Sequence, residues 1–578
     1  MDDLTTLAQI SRAGEQLAAA SPAAPSERIA IAGGVTLDYL RRAIACAVSA
    51  EGVFPVLHQA PFGALVQQVL DSGSALHAFA PDLVVIAPSC RDLVLELPVD
   101  VPADVVDTLQ APTIALYRTM WTRLGAAGIR IIQHTLVPPA PRYRGLAERL
   151  APAAPANQVR RLNERLIVAG AGIVHFVDLE RIAGEIGARR WSAARFHYTA
   201  KLNFDPRWLP DYLAPFRAAW RAAHARTRKL LALDLDNTLW GGVIGDDGVD
   251  GIALGPGSAS GEAFADWQHY LKGLSERGVV LAVCSKNAPE IAVGGFSHPG
   301  AVLRREDFAS FACSWSDKPA ALRRMAQELN LGLDSFVFAD DNPAECALVQ
   351  QALPEVAVVH LGTDPAQFIE RFDAGCWFDL PAYTGDDLGR ATAYAARAAA
   401  LAEKPEATDI DTYLAGLAMR GRLYRPGEPD IVRMAQLEQK TNQFNLTTRR
   451  YSEAELRALL ALDDAIVLAL RLSDRFGDHG LVATLIALQE GDTVRIASWL
   501  MSCRVFARTA EALIMRRLIE EARERGAMRL VGEYAPTVKN GVVADLYPRL
   551  GFVATDAGLF CRRTDADIDD LVTHIAAE

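Results

Sequence analysis

Apolar and polar positions follow three successive rhythms along the chain, and each predicts a different kind of element. In the first stretch, short unbroken apolar runs alternate with segments of helical period. Glu27 to Gly34 (ERIAIAGG) is a run ending in glycines, LDYLRRAIACAVSAEG has helical spacing, and PDLVVIAPS is a second run. Strand, helix and strand in this order predict a parallel sheet. Thr113 to Arg118 (TIALYR) and Gly128 to Val137 (GIRIIQHTLV) are expected to continue the alternation. The proline cluster PPAPRYRG does not end it, because VRRLNERLIVAGAG and IVHFVDL resume the pattern.

A basic tail, RAAWRAAHARTRK, marks a boundary near residue 225 and leads into KLLALDLDNTLWGG, a buried strand ending in carboxylates. Val279 to Lys286 (VVLAVCSK) and Ser335 to Asp341 (SFVFADD) are strands that also end in polar residues. In a parallel sheet such ends lie side by side, where open α/β sheets assemble their sites. This second domain is expected over 226–375, followed over 376–429 by an Ala-rich helical connector with Pro and Gly breaks. From residue 430 to 578 the rhythm changes to α+β. IVRMAQLEQKTNQF is helical, AIVLALRLSD and LVATLIALQEGDTVRIASWLM give strands joined at a Glu-Gly-Asp turn, and FARTAEALIMRRLIEEARERG is a long amphipathic helix. RLVGEY, DLYPRLGFVA and GLFCRRT complete it, and no internal repeat is evident.

Composition narrows the class. The chain has 578 residues, several domains' worth, and its 50% hydrophobic and 22% charged content excludes global disorder. Lys plus Arg total 59 against 71 for Asp plus Glu, a formal net charge of −12. That balance speaks against nucleic acid or a membrane surface as partner, so an anionic substrate needs a local basic site. No apolar stretch approaches the ~18 residues of a membrane span, and the start MDDLTTLAQISRAGEQ is acidic where a signal peptide is basic and then apolar. A cytoplasmic protein is expected. The eight cysteines are scattered without CxxC or zinc spacing, so reduced thiols are the default.

In LDLDNTLWGG, Asp234 and Asp236 stand one residue apart, and at a strand end with a tight turn both can face one point. One carboxylate can then attack phosphorus while the other donates a proton to the leaving oxygen, with a divalent cation neutralising the charge. A lone pair of this kind is also a common surface turn, but this one has company. Ser285 and Lys286 end the next strand, Lys318 starts a helix in SWSDKPAAL, and Asp340 and Asp341 end a third strand. The order Asp, Ser, Lys, Asp-Asp resembles the four motifs of the haloacid dehalogenase (HAD) superfamily of phosphotransferases. The resemblance implies Asp234 as nucleophile, Asp236 as acid/base, Ser285 as a phosphate hydrogen-bond donor and Lys318 as charge stabiliser. It also implies Asp234, Asp236, Asp340 and Asp341 as the Mg²⁺ set, with Thr238, Lys286 and Asn287 on the substrate.

Only a Gly-rich loop and one helix separate Asp236 from Ser285, which leaves no room for a cap domain and suggests a macromolecular or tethered substrate. The strings DLDNTLWGGVIGDDG, LAVCSKN, FADDNPAE and QKTNQFNLTTRRYS resemble the FkbH-like proteins, capless HADs found with polyketide synthases. That resemblance implies a phosphorylated small-molecule acyl donor, 1,3-bisphosphoglycerate, whose phosphates are released. It further implies that the glyceryl unit is loaded as a thioester on the phosphopantetheine arm of an acyl carrier protein. Cys284, beside Ser285, is then a candidate nucleophile for an acyl-S-enzyme, its pKa lowered by Lys286 and Mg²⁺. The alternative is a small core residue, because strand alternation turns neighbours to opposite faces. Two rival functions stand beside this one: a plain HAD phosphatase, and a non-catalytic carrier-docking protein.

Residues 480 to 553 resemble the GNAT acetyltransferase fold. In the pyrophosphate loop, SCRVFART, Arg504 is present but Ala507 and Thr509 fill the glycine places. The groove is therefore expected to hold a carrier's arm in place of CoA. Carrier proteins are acidic, and Arg449, Arg450, Arg504 and Arg508 are the expected docking residues; Arg516 and Arg517 either join them or form a solvated helix face. The polar run Gln439, Lys440, Thr441, Asn442 and Asn445 reads as an interface or groove lining. ERIAIAGGVT resembles the start of SGNH hydrolase-like folds, but no Ser follows the strand and no Asp-x-x-His closes the domain. Residues 1–225 are thus expected to act as scaffold or docking domain, with Thr36 and His197 as remnants. The expected fold class is multidomain α/β: an N-terminal parallel α/β (SGNH-like) domain, a central Rossmann-like capless HAD domain and a C-terminal α+β GNAT-like domain.

Overall fold

The computed structural model describes all residues except 1–3, 22–24, 99, 140–144, 193, 381–382, 384, 395–413, 442–443, 476, 503–504, 506–507, 538–539 and 556–557. The chain forms two compact units, residues 1–227 with 373–382, and residues 228–372 with 383–578. The first holds one sheet and the second holds two, so the protein is a multidomain α/β chain.

The first sheet comprises β1 (Ser26–Gly33), β2 (Phe54–Gln59), β3 (Leu83–Ala87), β4 (Arg130–His134) and β5 (His175–Val177), all parallel, in the order β2-β1-β3-β4-β5. The unbroken apolar runs are explained by burial on both faces. Ile29, Ile31, Val85 and Ile132 face Leu40, Ile44, Tyr212 and Phe216. The alternate positions Ala30, Ala32, Val84, Ile86 and Ile131 face Trp121 and Leu162. One predicted strand is a helix: Thr113 to Arg118 lies inside Ala103–Ala126. Val106, Gln110, Ile114, Tyr117, Trp121 and Leu124 are buried at steps of three and four, a period that six residues are too few to reveal.

The second sheet, β6 (Leu230–Leu233), β7 (Val280–Ser285), β8 (Phe308–Cys313), β9 (Phe336–Asp340) and β10 (Ala357–His360), is also parallel, in the order β10-β9-β6-β7-β8. Leu230, Ala232, Val280, Ala282, Cys284, Phe336 and Phe338 pack on one face against Leu322, Met325 and Leu329 of the helix Lys318–Leu329.

The third sheet has eight strands in the order β16-β17-β15-β14-β13-β12-β11-β18. Its centre is an antiparallel meander of β12 (Ala465–Asp474), β13 (Gly477–Glu490) and β14 (Thr493–Met501), with β11 (Arg420–Tyr424) antiparallel beside β12 and β15 (Arg529–Glu533) parallel beside β14. Beyond β15 lie β17 (Leu559–Arg563) and β16 (Val553–Ala554), and β18 (Ala576–Ala577) flanks β11. β11 corrects the expectation of a purely helical connector over 376–429. Its RGRLY pairs Arg420 to Tyr424 with Ser473 to Ala469, a strand that the Ala-rich composition before it obscured. Among the described residues, no helix is long and apolar enough to cross a membrane.

Candidate active site

In the second sheet the chain runs from β6 outward through β7 and β8, then returns to the other side of β6 for β9 and β10. The carboxyl ends of β6 and β9 therefore meet at the point where strand order reverses, the place open α/β sheets reserve for ligands. Asp234 follows β6 and Asp340 ends β9, tied at the backbone by Asp234 N–H donating to Ala339 O at 3.2 Å. Carboxylate oxygens of Asp234, Asp340 and Asp341 all lie within 4.8 Å of one another.

Lys318, the first residue of its helix and nearly buried, holds this negative charge together. Its Nζ lies 2.9 Å from Asp234 Oδ1 and 2.5 Å from Asp340 Oδ2. Burial pushes the Asp234 carboxyl up to about 6, with Lys318 pulling it down and Asp340 adding to the rise. Asp340 and Asp341 are raised too, chiefly by burial. Burial works against the Lys318 charge, yet the two carboxylates hold its pKa above the ordinary lysine value.

Asp236 is held apart from that cluster. After it the chain turns through Asn237 in the left-handed region, φ 53°, whose side chain accepts from Gly242 N–H at 3.0 Å. The turn brings two donors onto the Asp236 carboxylate, Trp240 Nε1 and Ile244 N–H, each at 3.0 Å, and Asn287 Nδ2, just beyond β7, adds a third at 2.8 Å. Asp236 was expected among the metal ligands, but the metal-sized group is Asp234, Asp340 and Asp341. Those carboxylates are hard oxygen donors, the chemistry that suits Mg²⁺.

Ser285 is buried, hydrogen-bonds Asp234 and accepts from Asn287 Nδ2 at 3.3 Å. Thr238 does not face an open cleft; it accepts from Asp341 N–H at 3.3 Å and donates to Asp341 Oδ1 at 3.4 Å, tying the two switch-point loops together. Lys286 forms an ion pair with Glu345 at 2.6 Å. Cys284 corrects the expectation of an accessible thiolate. It alternates with Ser285, so it turns with Val280 and Ala282 into the apolar core, only 1% exposed. Burial lifts its thiol to about 12, more than the nearby Lys318 can offset.

Sequence reasoning missed Trp240, Glu345 and His360, whose Nε2 lies 2.9 Å from Asp341 O. Trp240 and Glu345 stand in the quoted motif strings, four residues after Asp236 and after Asp341; that spacing was the available signal.

The expected docking arginines fare differently. Arg449 is exposed, Arg450 donates to Glu438 O at 2.6 Å, and Arg504 and Asn442 lie outside the described residues. Arg508 is corrected: it is 7% exposed and pairs with the buried Asp474 beside His479, so it presents no charge to a partner. Arg516 donates to Leu571 O, and Arg517 pairs with Glu521 at 3.0 Å. β14 and β15 pair only from Thr493 to Arg495. Further along, Asn445 bridges to Leu500 and Leu446 O accepts from Ala535 N–H, so the chain's own segment enters the gap between them. In the first sheet, Thr36 is tied to the backbone of Ala200 and Lys201, and His197 sits half-buried on the helix Ala194–Ala200.

No family model and no curated protein matches the chain. Among solved structures, it is similar to the N-terminal part of the protein BF1531 from Bacteroides fragilis, which contains a phosphatase domain and was crystallised with Mg. The two are 28% identical with a TM-score of 0.59, covering 65% of this chain and 100% of that one. About a quarter of the chain also matches the ribosomal-protein-S18-alanine N-acetyltransferase from Escherichia coli, at 16% identity and TM-score 0.20. The PaiA N-acetyltransferase from Thermoplasma acidophilum matches at 11% and 0.21.

Proposed function

We propose that the second sheet removes phosphate from a phosphorylated three-carbon acyl donor, 1,3-bisphosphoglycerate, and that the glyceryl unit passes as a thioester to an acyl carrier protein. The observation that carries this reading is the three-carboxylate group around Lys318 at the switch point, with Asp236 held beside it by three donors. The similarity to a phosphatase domain crystallised with Mg supports it.

Asp234 would attack phosphorus and form an aspartyl phosphate, while the departing substrate oxygen takes a proton from Asp236. Asp236, then a carboxylate, would draw a proton from the water that releases phosphate and regenerates Asp234. Lys318 and Ser285 would meet the charge on the transferring phosphoryl oxygens. A Mg²⁺ ion held by Asp234, Asp340 and Asp341 would supply further charge neutralisation. Acyl transfer needs no enzyme thiol: the carrier's own thiol would attack the acyl-phosphate carbonyl and expel inorganic phosphate. Since the chain's own Asn445 and Leu446 enter the gap in the third sheet, the carrier's arm is assigned to the cleft of the second.

The test is intact-protein mass spectrometry of a holo carrier protein incubated with the enzyme, Mg²⁺ and a bisphosphoglycerate-generating mixture. A glyceryl adduct that persists with C284A and is lost with D234N is expected. The burial of Cys284 closes the acyl-S-enzyme route, and the rival that remains is a phosphatase that never forms a thioester; phosphate release with no adduct would select it.

A further inference from the structure

We propose that Trp240 is the positioning residue of the proton-transfer step: by filling Asp236 Oδ1 it leaves Oδ2 as the oxygen that carries the transferred proton. This deepens the phosphoryl-transfer part of the reading above and rests on it.

The assignment follows from counting lone pairs. A carboxylate oxygen accepts about two hydrogen bonds. Asp236 Oδ1 has both, from Trp240 Nε1 and Ile244 N–H, each at 3.0 Å. Oδ2 has one, from Asn287 Nδ2 at 2.8 Å, so among the described residues it is the oxygen that keeps a place for a proton. Asn287 Nδ2 also reaches Ser285 Oγ at 3.3 Å, and Ser285 bonds Asp234. Oδ2 therefore lies on the side of Asn287 and Ser285, next to the nucleophile.

The two donors on Oδ1 differ in kind. Ile244 begins the helix Ile244–Gly251, and its N–H is one that no helical carbonyl can meet, so a backbone group supplies that bond whatever residue stands there. Trp240 donates through its side chain, and the fold builds a slot for it. Asp236 and Trp240 form a backbone bridge, and Gly241 exchanges N–H···O bonds with Ala253 at 3.1 and 2.8 Å. The indole is fully buried, Phe296 meets it edge-on with centroids 5.5 Å apart, and a Cβ at Gly295 would lie 2.6 Å from the ring. Burial alone does not explain the bond to Asp236, because the equally buried indoles of Trp267 and Trp499 have no acceptor. An indole nitrogen donates and cannot accept, so Trp240 orients Asp236 without relaying its proton. Without that N–H, Oδ1 regains a free lone pair, and the proton can sit on the oxygen turned away from the leaving group.

The experiment measures kcat/KM with Mg²⁺ on two esters, p-nitrophenyl phosphate and glycerol 3-phosphate. A nitrophenolate leaves without a proton and an alkoxide does not, so only the second ester reports on the acid. The variants are W240F and the full-length protein with β-(3-benzothienyl)alanine at position 240, in which sulfur replaces the indole N–H at nearly equal volume. Both should lose at least tenfold more kcat/KM on glycerol 3-phosphate than on p-nitrophenyl phosphate, with inhibition by inorganic phosphate unchanged. F296L, which alters the packing on the ring and keeps the N–H, should show no such preference. Equal losses on the two esters in the benzothienyl variant, no loss on either, or the same preference in F296L would each overturn the inference alone. A wild-type protein that hydrolyses neither ester, or D234N that hydrolyses both as fast as wild type, overturns the phosphoryl-transfer reading itself, and this inference with it.

Discussion

The first and second sheets are two parallel five-stranded sheets with a reversal of strand order each, and among the described residues only the second gathers a carboxylate group at its reversal. At the second reversal the adjacent strands β6 and β9 lead into Asp234, Asp236, Asp340 and Asp341. At the first, β1 ends at Gly33 and leads into Gly34, and β3 leads into Pro88 and Ser89. There the chain closes its own crevice: Thr36 N–H donates to Lys201 O, Thr36 Oγ1 to Ala200 O, and Asn203 Nδ2 to Pro88 O. The cavity left, lined by Thr36, His134 and Asn203 among apolar side chains, has room for about 10 Å³, roughly one water. The architecture offers a place for chemistry; residues at the strand ends decide whether it is used.

Five substitutions sharpen that contrast. The largest effect belongs to D234N, expected to lower phosphate release at least ~10³-fold with the fold intact by circular dichroism. Activity retained in D234N would place the second sheet with the first, as scaffold. K318M leaves two buried carboxylates facing one another without their cation, and a loss of about 3–5 kcal/mol is expected in urea unfolding, along with activity.

Glu438, on the helix Glu428–Lys440, shows what a buried carboxylate does without such a lysine. Only 1% exposed, it accepts from Ser498 Oγ at 3.2 Å and Tyr451 N–H at 3.3 Å. Burial, incompletely offset by those bonds and Arg450, lifts it from 4.5 to about 7. Between those values the folded protein keeps a proton that the unfolded chain has released. Stability is therefore full below pH 4.5, falls by about 3 kcal/mol as pH rises to about 7, and stays lower above. E438Q, neutral throughout, should flatten that slope in urea titrations. In the first sheet, a Cβ at Gly33 would lie 2.2 Å from Ala87 O of the neighbouring strand. G33A should cost about 1–3 kcal/mol of thermal stability, and T36A about 1. Loss of phosphate chemistry in T36A as deep as in D234N would break the contrast between the two sheets.

Much of the second sheet was legible because a buried parallel strand leaves a mark that needs no partner: an apolar run stopping at a polar residue, as in LLALD and FVFADD. The helix Ala103–Ala126 and β11 were misread because each shows its period only over a window longer than the fragment considered, or against the strand beside it.

The sequence by itself determined the strand runs, the order Asp, Ser, Lys, Asp-Asp, and the absence of inserted chain for a cap, since all of these are local or countable along the chain. Only the tertiary structure decided which side chains converge. It set Asp236 apart from the Asp234, Asp340 and Asp341 group, turned Cys284 into the core, buried Arg508 on Asp474, and brought Trp240 and Asn287 onto Asp236. Each outcome depends on the face a residue takes in a paired strand or on a turn such as Asn237, and on charges that neighbours meet only after folding.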